Sequence, residues 1–153
     1  MVDYSVVKCL YNSNSKYNIS VIDFEERLDR ICRLRIRGET KNISFLNIDA
    51  PTEEKEEETK DIFYEELEMA IDNIPKEDIL IVIGDANAKI GSEKIYGEIT
   101  GEITPQQGQR NKNGLRLIDL AIESDMKIMS THFERKDVHT QRHLDNTREK
   151  HRA

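Results

Sequence analysis

The chain of 153 residues is one domain's length, and its core must be mainly aliphatic because it has no Trp and only 6% aromatics. Charged residues reach 35% with a net charge of −7, which argues against a general polyanion binder, since phosphate affinity comes from Lys and Arg. Cys9 and Cys32 are the only cysteines, too few for a zinc cage or a disulfide framework. With no secretory-type start and no apolar run near the ~18 residues of a membrane span, the expectation is an intracellular protein, nuclear or cytoplasmic.

Residues 1–18 are weakly patterned and polar, and the alternation in "ISVIDF" (19–24) predicts a strand. From Ile31 the period of two sharpens. Cys32, Leu34 and Ile36 fall on one side and Arg33, Arg35 and Arg37 on the other, a strand with a basic outer face. That arginine row reads more naturally as a solvent face than as a nucleic-acid groove. Gly38 to Lys41 makes a turn, "NISFLNI" (42–48) returns as the second strand of a hairpin, and Pro51 ends it.

Phe63, Leu67, Ala70, Ile71 and Ile74 then recur at helical spacing, with glutamates on the other faces and crowded towards the start. The acidic run Glu53 to Glu68 is therefore read as a solvated helix face. Pro75 closes this helix, and "ILIVI" (79–83) follows as a strand apolar on both faces, hence expected to be buried. Strand, helix and strand in succession point to an α/β sheet covered by helices. A polar loop fills 92–114, and a second helix over 115–124 is expected to bury Leu115, Ile118, Ala121 and Ile122. "KIMST" (127–131) reads as a short strand. Residues 134–153 hold six Lys or Arg and almost nothing apolar, so poor packing is expected there.

The chemistry concentrates where strand 79–83 runs into Gly84, Asp85 and Asn87. Ligands of open α/β sheets bind beyond the carboxyl ends of strands. A carboxylate there can move a proton, orient a water or hold a divalent metal, and the amide two residues on can donate to a phosphate oxygen. The competing reading is an Asx-type turn with no further role. His139 and His143 are four apart, but no third ligand stands at useful spacing, so no metal site is read there. No Gly-rich phosphate loop opens a helix, which disfavours an ordinary nucleotide binder.

Three blocks in order carry a wider likeness: "NIDAPTEEKEEETKDIFYEELEMAIDNIP", "ILIVIGDANAKIG" and "NGLRLIDLAIESDMKIMSTHF". Together, over about 19–133, they resemble the endonuclease/exonuclease/phosphatase superfamily. The likeness is greatest to the retroelement-type endonuclease branch and its domesticated, craniofacial development protein 2-like relatives. The resemblance implies a partial four-layer α/β sandwich and phosphoester cleavage with Mg²⁺ or Mn²⁺, with nucleic acid as a partner. It implies catalytic roles for Asp85 (water activation or leaving-group assistance) and Asn87 (steadying the phosphate). Asn47, Asp49 and Asn113 fall at positions that face the substrate.

The chain also departs from that pattern. Asp49 stands where the family has a tyrosine, so an acceptor replaces a donor. Ala86 replaces a larger apolar residue. The family's metal-binding glutamate and its preceding asparagine have no match in residues 1–18, and its C-terminal Asp-His pair has none either. The reading is a fragment of a Mg-dependent endonuclease or phosphodiesterase-type domain with little or no activity by itself. Its alternative is a non-catalytic interaction domain built on the same fold, and uncovered apolar surface would favour self-association.

Overall fold

The computed structural model describes residues 20–27, 29–91, 96–101 and 109–132. The segments read as 1–18 and 134–153 lie outside these, as do His139 and His143. The element order is β1 (Val21–Arg27), β2 (Ile31–Ile36), β3 (Ile43–Asp49), α1 (Glu57–Asp72), β4 (Ile79–Asp85) and α2 (Lys112–Glu123), followed by a 3-10 turn at Met129–Thr131. The four strands form one mixed sheet in the order β1-β2-β3-β4. β1, β2 and β3 pair antiparallel, and β4 lies parallel beside β3 after the α1 crossover. This is a partial α/β fold, as the strand-helix-strand pattern predicts.

Register settles what each face carries, because residues opposite one another across a pair share a face. On the side of α1, Ile31, Ile48 and Gly84 form one row; Arg33, Leu46 and Val82 the next; Arg35, Ser44 and Leu80 the third. Leu46 and Ile48 pack with Phe63, Leu67, Ala70 and Ile74 of α1 and its end, with Leu80 and Val82 against that cluster. Burying a Leu or Phe side chain contributes roughly 1.5–3 kcal/mol, so this layer holds α1 to the sheet.

The arginine row therefore lies on the helix-bearing side of the sheet, not on an outer basic face. The charges of Arg33 and Arg35 are matched. Arg33 meets Asp23 at 2.6 Å and Glu25 at 3.0 Å on β1. Arg35 grips the buried Asp78 through two hydrogen bonds of 2.7 and 2.9 Å, and Ser44 donates to the same carboxylate. These contacts hold Asp78 below the usual carboxylate range, Arg35 first among them. Alternation revealed the two sides; only pairing revealed which one carries the helix.

The opposite face has two rows that are apolar across all four strands: Val21, Ile36, Ile43 and Ile79, then Phe24, Leu34, Phe45 and Ile81. Here β4 departs from expectation. Ile79, Ile81 and Ile83 are 48%, 37% and 38% exposed: they stand on the face away from α1, and among the described residues no strand pairs beyond β4. The segment 127–131, expected as a strand, makes a single bridge from Ile128 to Thr100 and then turns. It adds nothing to the sheet.

α2 begins at Lys112, three residues before the predicted start, so Asn113 and Gly114 belong to its first turn and not to the loop. Ile118, Leu120 and Ala121 are buried, whereas Leu115 and Ile122 are exposed. The acidic run is also less solvated than its composition suggests. Glu53 lies ahead of α1 and accepts the Lys112 and Asn113 backbone N–H groups at 3.3 and 3.2 Å, capping α2. Glu57 pairs with Lys112 and Arg116 of α2, and Asp61 with Arg116. The buried Lys60 reaches Glu57 at 3.0 Å and the Glu53 carbonyl at 3.1 Å.

Candidate functional site

The parallel pair β3 and β4 ends in a polar cluster. Asn47 is opposite Ile83, and Asp49 is opposite Asp85. By the alternation of the pleat these residues lie on the face away from α1. Gly84 makes the approach possible. Its φ is +115°, and a Cβ there would stand 2.0 Å from the Ile48 carbonyl oxygen, so no side chain fits as β4 passes β3.

Beyond the strands, the Ala50 N–H donates to the Asp85 carbonyl at 2.8 Å, carrying the pairing past Asp49. The Asn87 N–H donates to Asp85 Oδ1 at 2.8 Å, an Asx turn, with Asn87 itself at φ +47°, a left-handed conformation that Asn tolerates. The turn reading of this stretch is thus present in the structure. Asp85 is exposed while Asn47, Asp49 and Asn87 are half-buried.

The amides of this region mostly hold the architecture. Asn87 Nδ2 donates to the Ala50 carbonyl at 2.8 Å. Asn113 is fully buried, and its Nδ2 donates to the carbonyls of Pro51 at 2.8 Å and Asn87 at 3.3 Å. Asn113 therefore ties α2 to the two strand ends, away from solvent, whereas the resemblance implies a substrate-facing place. Its Oδ1 is buried without a hydrogen-bond partner.

Two residues of the cluster had not been read from the sequence. Arg30 donates to the Asp49 carbonyl at 3.0 Å and stands 3.7 Å from its carboxylate. Thus the Asp49 carboxylate faces a cation. Arg30 is nineteen residues away in sequence, and no local pattern marks it. Asn111 is the N-cap of α2: its Oδ1 accepts from Gly114 N and Lys89 N at 2.8 Å each. The preference of Asn for the residue before an apolar-periodic helix was the available signal.

Two opposed carboxylates and the Asn47 carbonyl make a hard oxygen set of the kind that suits Mg²⁺. Arg30 already engages Asp49, however, and among the described residues no group of three His, Cys, Asp or Glu is placed to hold a metal ion. These side chains fall short of a metal centre. Nearby, Cys32 faces Asn47 across the hairpin, and burial pushes its thiol above the ordinary value against a hydrogen bond with Asn47.

A partial α/β domain with carboxylates at the carboxyl ends of adjacent parallel strands is the class this geometry defines. The chain is 36% identical over 121 residues to craniofacial development protein 2 of Tragulus javanicus, covering 79% of this chain and 21% of that protein. To craniofacial development protein 2 of Bos taurus it is 35% identical over 121 residues, covering 79% and 20%. The chain thus spans about a fifth of the length of these curated relatives. No family model matches it, and no solved structure matches it either. No helix among the described residues is long and apolar enough to cross a membrane.

Proposed function

We propose that this chain is a piece of a phosphoesterase-type domain of the endonuclease/exonuclease/phosphatase kind, of retroelement ancestry, with little or no cleavage activity by itself. The observation that carries the reading is the register of Asp49 against Asp85 at the carboxyl ends of β3 and β4, with Asn47 on the same face. This is the position at which open α/β sheets bind ligands. The likeness to craniofacial development protein 2 supports the ancestry. In this reading the exposed Asp85 is the base that would orient a water, and Asn47 the amide that would meet a phosphate oxygen.

The weak activity follows from what surrounds these residues. Asp49 puts a second carboxylate where a phosphate would approach, with Arg30 3.7 Å from it. The Mg²⁺ or Mn²⁺ of the family lacks its carboxylate set among the described residues. Loss of one preorganised donor typically costs about 10²–10³ in rate. The alternative reading, a non-catalytic interaction domain, is favoured by the same asparagines: the Asn87 and Asn113 amides are engaged by backbone carbonyls.

Two measurements separate these readings. Supercoiled plasmid and an abasic duplex, each with Mg²⁺ or Mn²⁺, should remain uncut; nicking that vanishes in Asp85→Ala would overturn the claim of inactivity. Inorganic phosphate should shift the NMR amide signals of Asn47, Asp85 and Ala86, and an unresponsive strand end would remove the phosphate-site ancestry and leave the interaction domain.

A further inference from the structure

Asn113 and Gly114 stand side by side in the first turn of α2, and the fold requires each for a separate reason. A Cβ at Gly114 would lie 1.9 Å from the Lys89 carbonyl oxygen, so the approach of α2 to the loop after β4 admits no side chain there. Asn113 is fully buried, and its Nδ2 donates to the Pro51 and Asn87 carbonyls. An amide serves both acceptors; an ionised carboxylate has no proton to give either. Packing thus selects asparagine followed by glycine. That pair is also the one most prone to lose its amide, because glycine has no Cβ to shield its backbone nitrogen from the asparagine Cγ.

We infer that Asn113 is a deamidation site gated by the start of α2: the folded chain protects it, and opening of this turn converts it irreversibly. In the reaction the Gly114 nitrogen attacks Asn113 Cγ. A C–N bond closes a five-membered succinimide, and the side-chain nitrogen leaves as ammonia, taking the Gly114 proton through water. A second water then opens the ring to aspartate or isoaspartate. The fold withholds every part of this. Gly114 N–H donates to Asn111 Oδ1 at 2.8 Å, and Asn113 N–H to Glu53 Oε2 at 3.2 Å, so the cap holds the main chain on both sides of the reacting carbon. Ring closure needs a rotation about ψ of residue 113 out of the helical range. Burial keeps water from the amide. Once formed, the product does not fit back. Its carboxylate would be buried against two carbonyl oxygens, unpaired and desolvated, and isoaspartate would also lengthen the main chain inside a helical turn.

The test follows residue 113 by peptide mapping and mass spectrometry while the full chain stands for days in mildly alkaline buffer, with and without urea. Conversion in urea should be at least about tenfold faster than in the folded chain, where the reaction waits for a local opening. Asn111→Ala frees the Gly114 N–H and should raise conversion without urea several-fold, whereas Asn111→Asp keeps the acceptor and should stay near the wild type. In case Asn111→Ala fails to fold, the wild type in graded sub-denaturing urea gives a second readout: conversion should rise in step with amide exchange at Gly114. Asn113→Asp mimics one product and should melt about 5 °C or more below the wild type. Equal conversion of residue 113 with and without urea overturns the inference. So does an Asn113→Asp chain as stable as the wild type.

Discussion

Glu57 of α1 accepts from Lys112 of α2 at 2.9 Å and from the buried Lys60 at 3.0 Å, and it pairs with Arg116 at 3.1 Å. One carboxylate thus joins the two helices across 55 residues of sequence. Lys112 first, then Lys60 and Arg116, hold its carboxyl down to about 2 from an ordinary 4.5. Because the folded value lies below the unfolded one, the contribution is fully present above about pH 4.5 and is lost as pH falls towards 2. The expected outcome is that Glu57→Gln melts below the wild type at pH 7, with the difference shrinking across that window. Added salt should narrow it as well, since the side chain is half exposed. A difference independent of pH would show that the ion pairs contribute nothing.

Gly84 is the tightest point of the strand-end cluster. A side chain there meets the Ile48 carbonyl at 2.0 Å and must adopt φ +115°. Backbone strain of this kind alone costs on the order of 1–3 kcal/mol, and the clash adds to it. Gly84→Ala should therefore lose about 3 kcal/mol or more, a large share of a small domain's ~5–15. A urea titration reads this directly. A variant within about 1 kcal/mol of the wild type would mean that β3 and β4 separate at this point at little cost.

Asn111 joins the start of α2 to the loop after β4. Its Oδ1 accepts from Gly114 and Lys89, and its Nδ2 donates to the Asn87 carbonyl at 3.3 Å. Removing an N-cap side chain typically costs about 0.5–2 kcal/mol. Asn111→Ala should fall at the upper end of that range, with faster amide exchange at Lys89 and Gly114. Asn111→Asp, which keeps the acceptor, should stay near the wild type. Equal losses in both variants would place the effect in the Nδ2 contact instead.

The elements were legible in the sequence because each depends on local periodicity. Period two exposed the hairpin 31–48, helical spacing exposed α1, and Gly84-Asp85 marked the end of β4. Pairing decided the rest, and pairing depends on residues far apart. Alternation put Arg33 and Arg35 opposite Cys32 and Leu34, but only the register with Leu46 and Ser44 put them on the side of α1, matched by Asp23, Glu25 and Asp78. The same holds at the strand ends. Asp85 and Asn87 were found from their own neighbourhood, whereas the opposition of Asp49 and Asp85, the cation of Arg30 and the burial of Asn113 each needed a partner 19 to 62 residues away.

The five-residue apolar run 79–83 shows the division most clearly. Composition determined that it is a strand with two apolar faces. Whether it lies inside the sheet or at its edge depends on what pairs beyond it, and among the described residues nothing does. Side-chain period is a property of one segment, which the sequence carries in full. Burial is a property of the neighbours, which only the tertiary structure supplies.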